Sequence, residues 1–284
     1  MNILIIGKNS YIGKNLKAWL NQYPEKYKTS TISVRDDRWK SYDFSKFDTV
    51  INCAGVAHIN NIQEGMKNLF YSVNRDLVYE LGKKAKNDGV SHFIHLSSMN
   101  VYGDYCDNIT DRDVVNPTNF YGDSKLQGDF ELEKLKDNSF VISYIRPPFV
   151  YGKDCSGNFK TISKIAHLTP IFPDYKNKKS MIYIDNLCEF IRLIIDDKKE
   201  GVFTPQNKEL ISTTDLVAEI AINNNKKILF TKLFNWILKL GNKKFKTIRR
   251  AFGNDCYDLS LSDYYDFKYC VVNFQESIRR TEIK

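Results

Sequence analysis

The first half of the chain alternates short apolar runs with longer segments of mixed polarity, the rhythm of βαβ units that build a parallel sheet. Five runs have strand length and composition: Ile3–Ile6, Thr31–Val34, Thr49–Asn52, His92–Leu96 and Val141–Ile145. Each is rich in β-branched or apolar residues and bounded by turn or charged residues, as strands covered on both faces require. Between them the pattern predicts helices over Gly13–Gln22, Met66–Asp88 and Tyr121–Lys136. A later helix is expected over Asp185–Asp196, and "GVFTPQN" after it reads as a strand ending in a turn. The expected fold is α/β, a doubly wound parallel sheet with a smaller C-terminal lobe. The sheet domain takes 1–151 and a return segment near 181–205; the lobe takes 152–180 and 206–284.

Composition allows this. With 284 residues, 42% of them hydrophobic and 27% charged, the chain can bury a sizeable core and is too apolar to be disordered. No run approaches the ~18 apolar residues of a membrane span. Met1-Asn2 leads straight into a strand, and the six cysteines are widely spaced with no C-x-x-C. Free thiols in a reducing cytosol are therefore expected. His58, His92, His95 and His167 share no metal-like spacing, so no metal is expected.

The net charge of +8 is unevenly placed, because Lys226–Asn254 holds nine Lys/Arg and no Asp/Glu. Two readings stay open. The segment is a helical part of the lobe with its apolar side inward and its lysines solvated, or it is a basic amphipathic surface, carrying Phe234 and Trp236, that makes weak peripheral contact with anionic lipid. No recognisable nucleic-acid-binding motif surrounds it, and no nucleic-acid partner is expected.

The first strand ends in Gly7-Lys8-Asn9-Ser10-Tyr11-Ile12-Gly13, and a helical pattern follows at once. Glycines there let the backbone bend tightly and let a pyrophosphate reach the positive end of the helix, so Gly7, Ser10, Tyr11, Ile12 and Gly13 are candidate dinucleotide-binding residues. Cofactor choice belongs to the end of the second strand, "SVRDDRW". Arg35, with Arg38 nearby, favours the 2′-phosphate of NADP, while Asp36 and Asp37 keep NAD open.

Tyr121 and Lys125 stand one helical turn apart on a single face. A phenol is a poor base at neutral pH, and a nearby ammonium stabilises its phenolate. Upstream, "HLSSMNVYG" is an apolar strand ending in paired serines, at the strand end where open α/β sheets bind ligands.

In this order "GKNSYIG", "NCAGVAH", "HLSSMNVYG", "YGDSK" and "IRPPFVYG" resemble the extended short-chain dehydrogenase/reductase superfamily, in its NAD-dependent nucleotide-sugar epimerase/dehydratase branch. The resemblance covers Asn2 to about Leu187 and implies a Rossmann-type sheet. It implies that Tyr121 is the acid/base, that Lys125 holds the nicotinamide ribose and tunes the tyrosine, and that Ser98 bonds the reacting sugar oxygen. It places Ala54, Gly55 and Asn74 near the cofactor, Asp43 and Phe44 beside the adenine, and Pro147 near the nicotinamide. Met99, Asn100 and Asn158 would face the substrate. Ser10 replaces the usual second glycine. Met99 and Asn100 stand where sugar 4,6-dehydratases carry an acidic pair, which argues against a dehydratase. The activity implied is reduction at carbon 4 of a UDP-4-keto-6-deoxy-N-acetylhexosamine for bacterial surface polysaccharide, with a UDP-hexose(amine) 4-epimerase as the alternative. A catalytically idle nucleotide-binding module, regulatory or scaffolding, is the third reading. A homodimer is implied by resemblance alone.

Overall fold

The computed structural model of the protein describes residues 1–57, 64–104, 106–155 and 157–283. The chain divides into two compact units: Met1–Gly103, Val114–Pro147 and Leu187–Pro205 form one, and Asp104–Asp113, Pro148–Asn186 and Gln206–Lys284 the other.

The first unit rests on β1 Asn2–Ile6, β2 Lys28–Ile32, β3 Thr49–Asn52, β4 His92–Leu96, β5 Val141–Ile145 and β6 Gly201–Phe203. These six strands are parallel and lie in the order β2-β1-β3-β4-β5-β6. The chain leaves β1 toward β2 and then crosses to β3 on the other side, so a crevice opens at the carboxyl ends of β1 and β3. Its helices are α1 Tyr11–Leu20, α2 Lys67–Tyr71, α3 Leu77–Asn87, α4 Phe120–Glu133 and, from Leu187 onward, α5 Ile184–Asp197, close to the expected Asp185–Asp196. Alternate residues of β1 face opposite ways: Ile5 lies against Gly13 of α1, while Leu4 and Ile6 join Val78 and Leu81 of α3 and Leu132 of α4 in one core. The sheet is thus covered on both faces, a Rossmann-like doubly wound α/β fold. On the α1 side, Trp19 donates its indole N–H to Glu189 at 2.9 Å and the Tyr27 hydroxyl donates to Asp196 at 2.6 Å.

Three local departures from the sequence reading have physical causes. The second strand starts at Lys28 rather than Thr31 and ends at Ile32, because it is an edge strand, half exposed, whose register is set by β1 from Asn2 onward. Helix α1 starts at Tyr11, since Ser10 caps it. The stretch expected as one helix, Met66–Asp88, is broken by a widened π-type turn at Ser72–Asp76, with the buried Asn74 inside it.

The second unit contains three short parallel pairs: Phe149–Tyr151 with Met181–Tyr183, Ile171–Pro173 with Leu229–Thr231, and Asn108–Ile109 with Cys256–Tyr257. At its centre Tyr151 is fully buried, sharing a 2.6 Å hydrogen bond with Ser277 and accepting one from Asn207 at 3.1 Å. The expectation that the apolar side of Lys226–Asn254 faces inward is corrected: Leu233 and Trp236 are 75% and 66% exposed. The six cysteines are free. Among the described residues no helix is long and apolar enough to cross a membrane.

Candidate active site

The turn after β1 is shaped by two glycines. Gly7 has φ of 100°, in the left-handed region, and a Cβ there would lie 3.0 Å from the Ala54 nitrogen. A Cβ on Gly13 would meet Ser10 Oγ at 2.7 Å and the Gly7 oxygen at 2.8 Å. Ser10 Oγ accepts from the Gly13 N–H at 2.9 Å, so the residue in the second glycine's place is the helix cap. Tyr11 and Ile12 open α1. Bare backbone beside a helix N-terminus suits a diphosphate, and these residues therefore fit a dinucleotide.

Across the crevice, the loop after β3 is pinned from both sides. Asn52 Oδ1 accepts from the Ala54 N–H at 3.0 Å. Asn74 accepts from the Val56 N–H at 2.9 Å and donates to the Val56 oxygen at 3.0 Å and to Ser124 Oγ at 3.1 Å. The widened turn thus aims Asn74 at both the loop and α4. Gly55 is held so near α4 that a Cβ would lie 2.9 Å from Lys125 Nζ.

Beyond β2, Arg35 is exposed. Arg38 is paired with Asp36 at 2.7 Å and Lys40 with Asp37 at 2.9 Å. Asp43 closes its own turn on Ser45, at 2.9 Å to the N–H and 2.6 Å to the hydroxyl, and the Phe44 ring is buried in the core.

Asn119 caps α4 by accepting from the Gly122 N–H at 2.9 Å, and the helix presents Tyr121, Lys125 and Asp129 on successive turns. Lys125 is buried and donates to the Leu96 oxygen at 2.9 Å. Burial pushes its ammonium down to about 8, while Asp129 and Cys53 pull it up. Burial raises the Tyr121 phenol above its ordinary value and its hydrogen bond with Ser98 draws it back. That downward pull was expected from Lys125, whose ammonium turns to the Leu96 carbonyl instead. Ser98 Oγ donates to Asn100 Oδ1 at 3.1 Å and accepts from the Asn100 N–H at 3.2 Å. The buried Met99 donates its N–H to the Pro147 oxygen at 3.1 Å, joining the ends of β4 and β5. Ser98, Met99, Asn100, Tyr121, Lys125, Ala54, Gly55, Asn74 and Pro147 all belong to the carboxyl end of the sheet. Asn158 belongs to the second unit, where its side-chain oxygen accepts from Arg250.

Behind this group lies a buried polar cluster that the motifs did not reveal. Asp129 accepts from Ser97 Oγ at 3.0 Å and from Arg146, whose guanidinium also donates to the Tyr102 hydroxyl at 3.1 Å. Burial raises the Asp129 carboxyl, and Arg146, Ser97 and Lys125 oppose that. His95 Nε2 is 3.8 Å from Asp129, and burial with Lys125 and Arg146 holds the imidazole well below its ordinary value. Extending the Tyr-x-x-x-Lys spacing by one further turn would have found Asp129. Among the described residues no group of His, Cys, Asp and Glu is placed to hold a metal ion, and His58 lies outside them.

The family model of the NAD dependent epimerase/dehydratase family matches residues 3–204. The UDP-glucose 4-epimerase of Vibrio cholerae is 30% identical over 270 residues, 86% of this chain and 82% of that protein. The N-acetyl-alpha-D-glucosaminyl-diphospho-ditrans,octacis-undecaprenol 4-epimerase of Escherichia coli O157:H7 is 29% identical over 80% of this chain and 73% of its own. Among solved structures, a UDP-glucuronic acid 4-epimerase from Bacillus cereus, in complex with UDP-glucuronic acid and NAD, shares the fold with a TM-score of 0.75 at 20% identity, covering 99% of this chain and 98% of that one.

Proposed function

Since the chain belongs to the NAD dependent epimerase/dehydratase family, and is an enzyme of the extended short-chain dehydrogenase/reductase type, we propose that it moves hydride at carbon 4 of a UDP-linked sugar. The net reaction in this reading is reduction of a UDP-4-keto-6-deoxy-N-acetylhexosamine for surface polysaccharide. The observation that carries it is the Tyr121 phenol hydrogen-bonded to Ser98 and set one helical turn from Lys125, placed to give a proton to a sugar oxygen.

A nicotinamide cofactor supplies the hydride when bound. Gly7, Ser10, Tyr11, Ile12 and Gly13 would hold its diphosphate, Ala54, Gly55, Asn74 and Pro147 its nicotinamide side, and Asp43 its adenine; Phe44, with its ring in the core and its N–H given to Asp88 at 3.1 Å, is not offered to the adenine. Arg35 would take a 2′-phosphate, while Asp36 and Asp37 are already engaged by Arg38 and Lys40, which favours NADP over NAD. Ser98 positions the keto oxygen, and Tyr121 gives that oxygen its proton as carbon 4 is reduced. Lys125 would offset the phenolate that remains, and the Asp129 carboxylate favours its charged form. Met99 and Asn100 are assigned to the sugar nucleotide, and no carboxylate stands at 99 or 100 for a dehydration.

The second reading, a 4-epimerase, is favoured by both curated relatives, each named for that activity. In it hydride would leave carbon 4 for a bound NAD and return to the opposite face, while Tyr121 takes and gives back the hydroxyl proton and Ser98 and Lys125 keep the roles given above. Incubation with UDP-hexoses, UDP-N-acetylhexosamines and their 4-keto derivatives, with each cofactor, separates the readings by mass spectrometry and nicotinamide absorbance. The reductase consumes one NADPH per product. Formation of a carbon-4 epimer with no added cofactor would establish the second reading in its place.

A further inference from the structure

In the second unit, Leu229 lies beside Ile171 in a two-stranded pair, and their side chains are 64% and 48% exposed. The helix Asn235–Lys244 follows. Its covered side is thin and partly polar: Asn235 donates to the Asp174 oxygen at 2.9 Å, and Gly241 lies so near Ile248 that a Cβ would be 2.5 Å from it. Its open side carries Trp236 and Leu240 at 66% and 62% exposure, one helical turn apart, and the turn before it exposes Leu233 at 75%. An ordinary surface helix is built the other way, with the apolar stripe inward.

Charge selects the occupant. The segment 226–254 has nine Lys/Arg and no carboxylate, and among the described residues none of the nine is ion-paired. Lys239 and Lys243 flank the stripe one turn apart. A second copy seated on this face across a twofold axis would bring two such clusters together, which Coulomb repulsion opposes. A nucleic acid would leave the apolar stripe in water. A bilayer with anionic headgroups offers both an apolar layer for Trp236 and Leu240 and negative charge for the lysines beside them.

We propose that the face formed by Leu233, Trp236, Leu240, Lys239 and Lys243 is a peripheral docking surface for an anionic lipid bilayer. The proposal stands apart from the reading of the active site, since it holds whichever sugar is turned over. Trp236 reports on it directly, because Trp39 is buried and Trp19 half-buried.

The test uses the full chain with vesicles of phosphatidylcholine, with and without phosphatidylglycerol. The expected result is co-sedimentation with the anionic vesicles at low salt, a blue shift of the tryptophan emission, and release near about 0.5 M salt, where screening is short-ranged. Trp236→Ala combined with Leu240→Ala, and separately Lys239→Glu combined with Lys243→Glu, should each lower partitioning by about tenfold or more. Both pairs are exposed, so thermal melting and sugar turnover should match the unaltered chain. No binding to anionic vesicles at low salt overturns the proposal, as does undiminished binding by both variants. A homodimer that Trp236→Ala dissolves also overturns it, by giving the face to a second copy.

Discussion

Asp129 accepts two hydrogen bonds from the guanidinium of Arg146, at 3.0 and 3.3 Å, with both side chains closed off from solvent. Asp129 sits one helical turn beyond Lys125, and its carboxylate draws the Lys125 ammonium upward, as does Cys53 just after β3, while His95 of β4 feels the charges of both Lys125 and Arg146. Replacing Asp129 by Asn leaves Arg146 as a buried unpaired charge, a loss of about 3–5 kcal/mol in urea unfolding. It also removes an upward pull on Lys125, so the proton that leaves near pH 8 should leave at lower pH. The alkaline limb of the pH–rate profile should therefore move down. A stability loss with an unmoved limb would reduce Asp129 to a structural part.

Gly128→Ala tests how closely α4 must approach the turn bearing Asn74. A Cβ at position 128 would lie 2.2 Å from the Asn74 backbone oxygen, which cannot give way as a side-chain tip can. The expected cost is about 1–3 kcal/mol of stability, with a raised KM for the cofactor as Asn74 is pushed off the Val56 loop. Gly65→Ala, with nothing within 4 Å of its Cβ, is the control and should be silent.

These two cases mark what the sequence carries. The glycine turn, the strand cores and the Tyr121–Lys125 spacing are local, and their chemistry shows in a few neighbouring residues. Asp129 and Arg146 are 17 residues apart and look like surface charges until the sheet closes over them. The turn at Ser72–Asp76 was illegible because a widened turn keeps the apolar rhythm of an unbroken helix. The edge strand β2 was misplaced since half-exposed strands lack a continuous apolar run. The sequence marked Lys226–Asn254 as a basic segment with Phe234 and Trp236 on its apolar side, but a pattern cannot say which side a protein covers.

His92 makes stability depend on pH. It is fully buried, its Nε2 is 2.8 Å from Ser143 Oγ, and burial lowers its pKa from 6.5 to about 4. The folded state thus binds fewer protons than the unfolded one between those values. Stability is full above pH 6.5 and is lost as pH falls toward 4, by up to about 3 kcal/mol. Urea midpoints measured from pH 7 downward should show the decline, and His92→Gln should flatten it; an equal slope in the variant would assign the effect elsewhere.

Arg35→Ala should raise the KM for NADPH about tenfold and leave that for NADH nearly unchanged, as loss of one phosphate-pairing guanidinium predicts. Steady-state kinetics with both cofactors checks it. An equal change for both would remove Arg35 from the 2′-phosphate.

The most direct measurement supplies NADPH deuterated at carbon 4 of the nicotinamide together with a UDP-4-keto-6-deoxy-N-acetylhexosamine, and locates the label by mass spectrometry and NMR. The predicted result is one deuterium at carbon 4 of the sugar for each NADP formed, with the rate cut about 100- to 10,000-fold in Tyr121→Phe. Label that stays on the nicotinamide while the sugar is converted, or full turnover by Tyr121→Phe, would contradict the account.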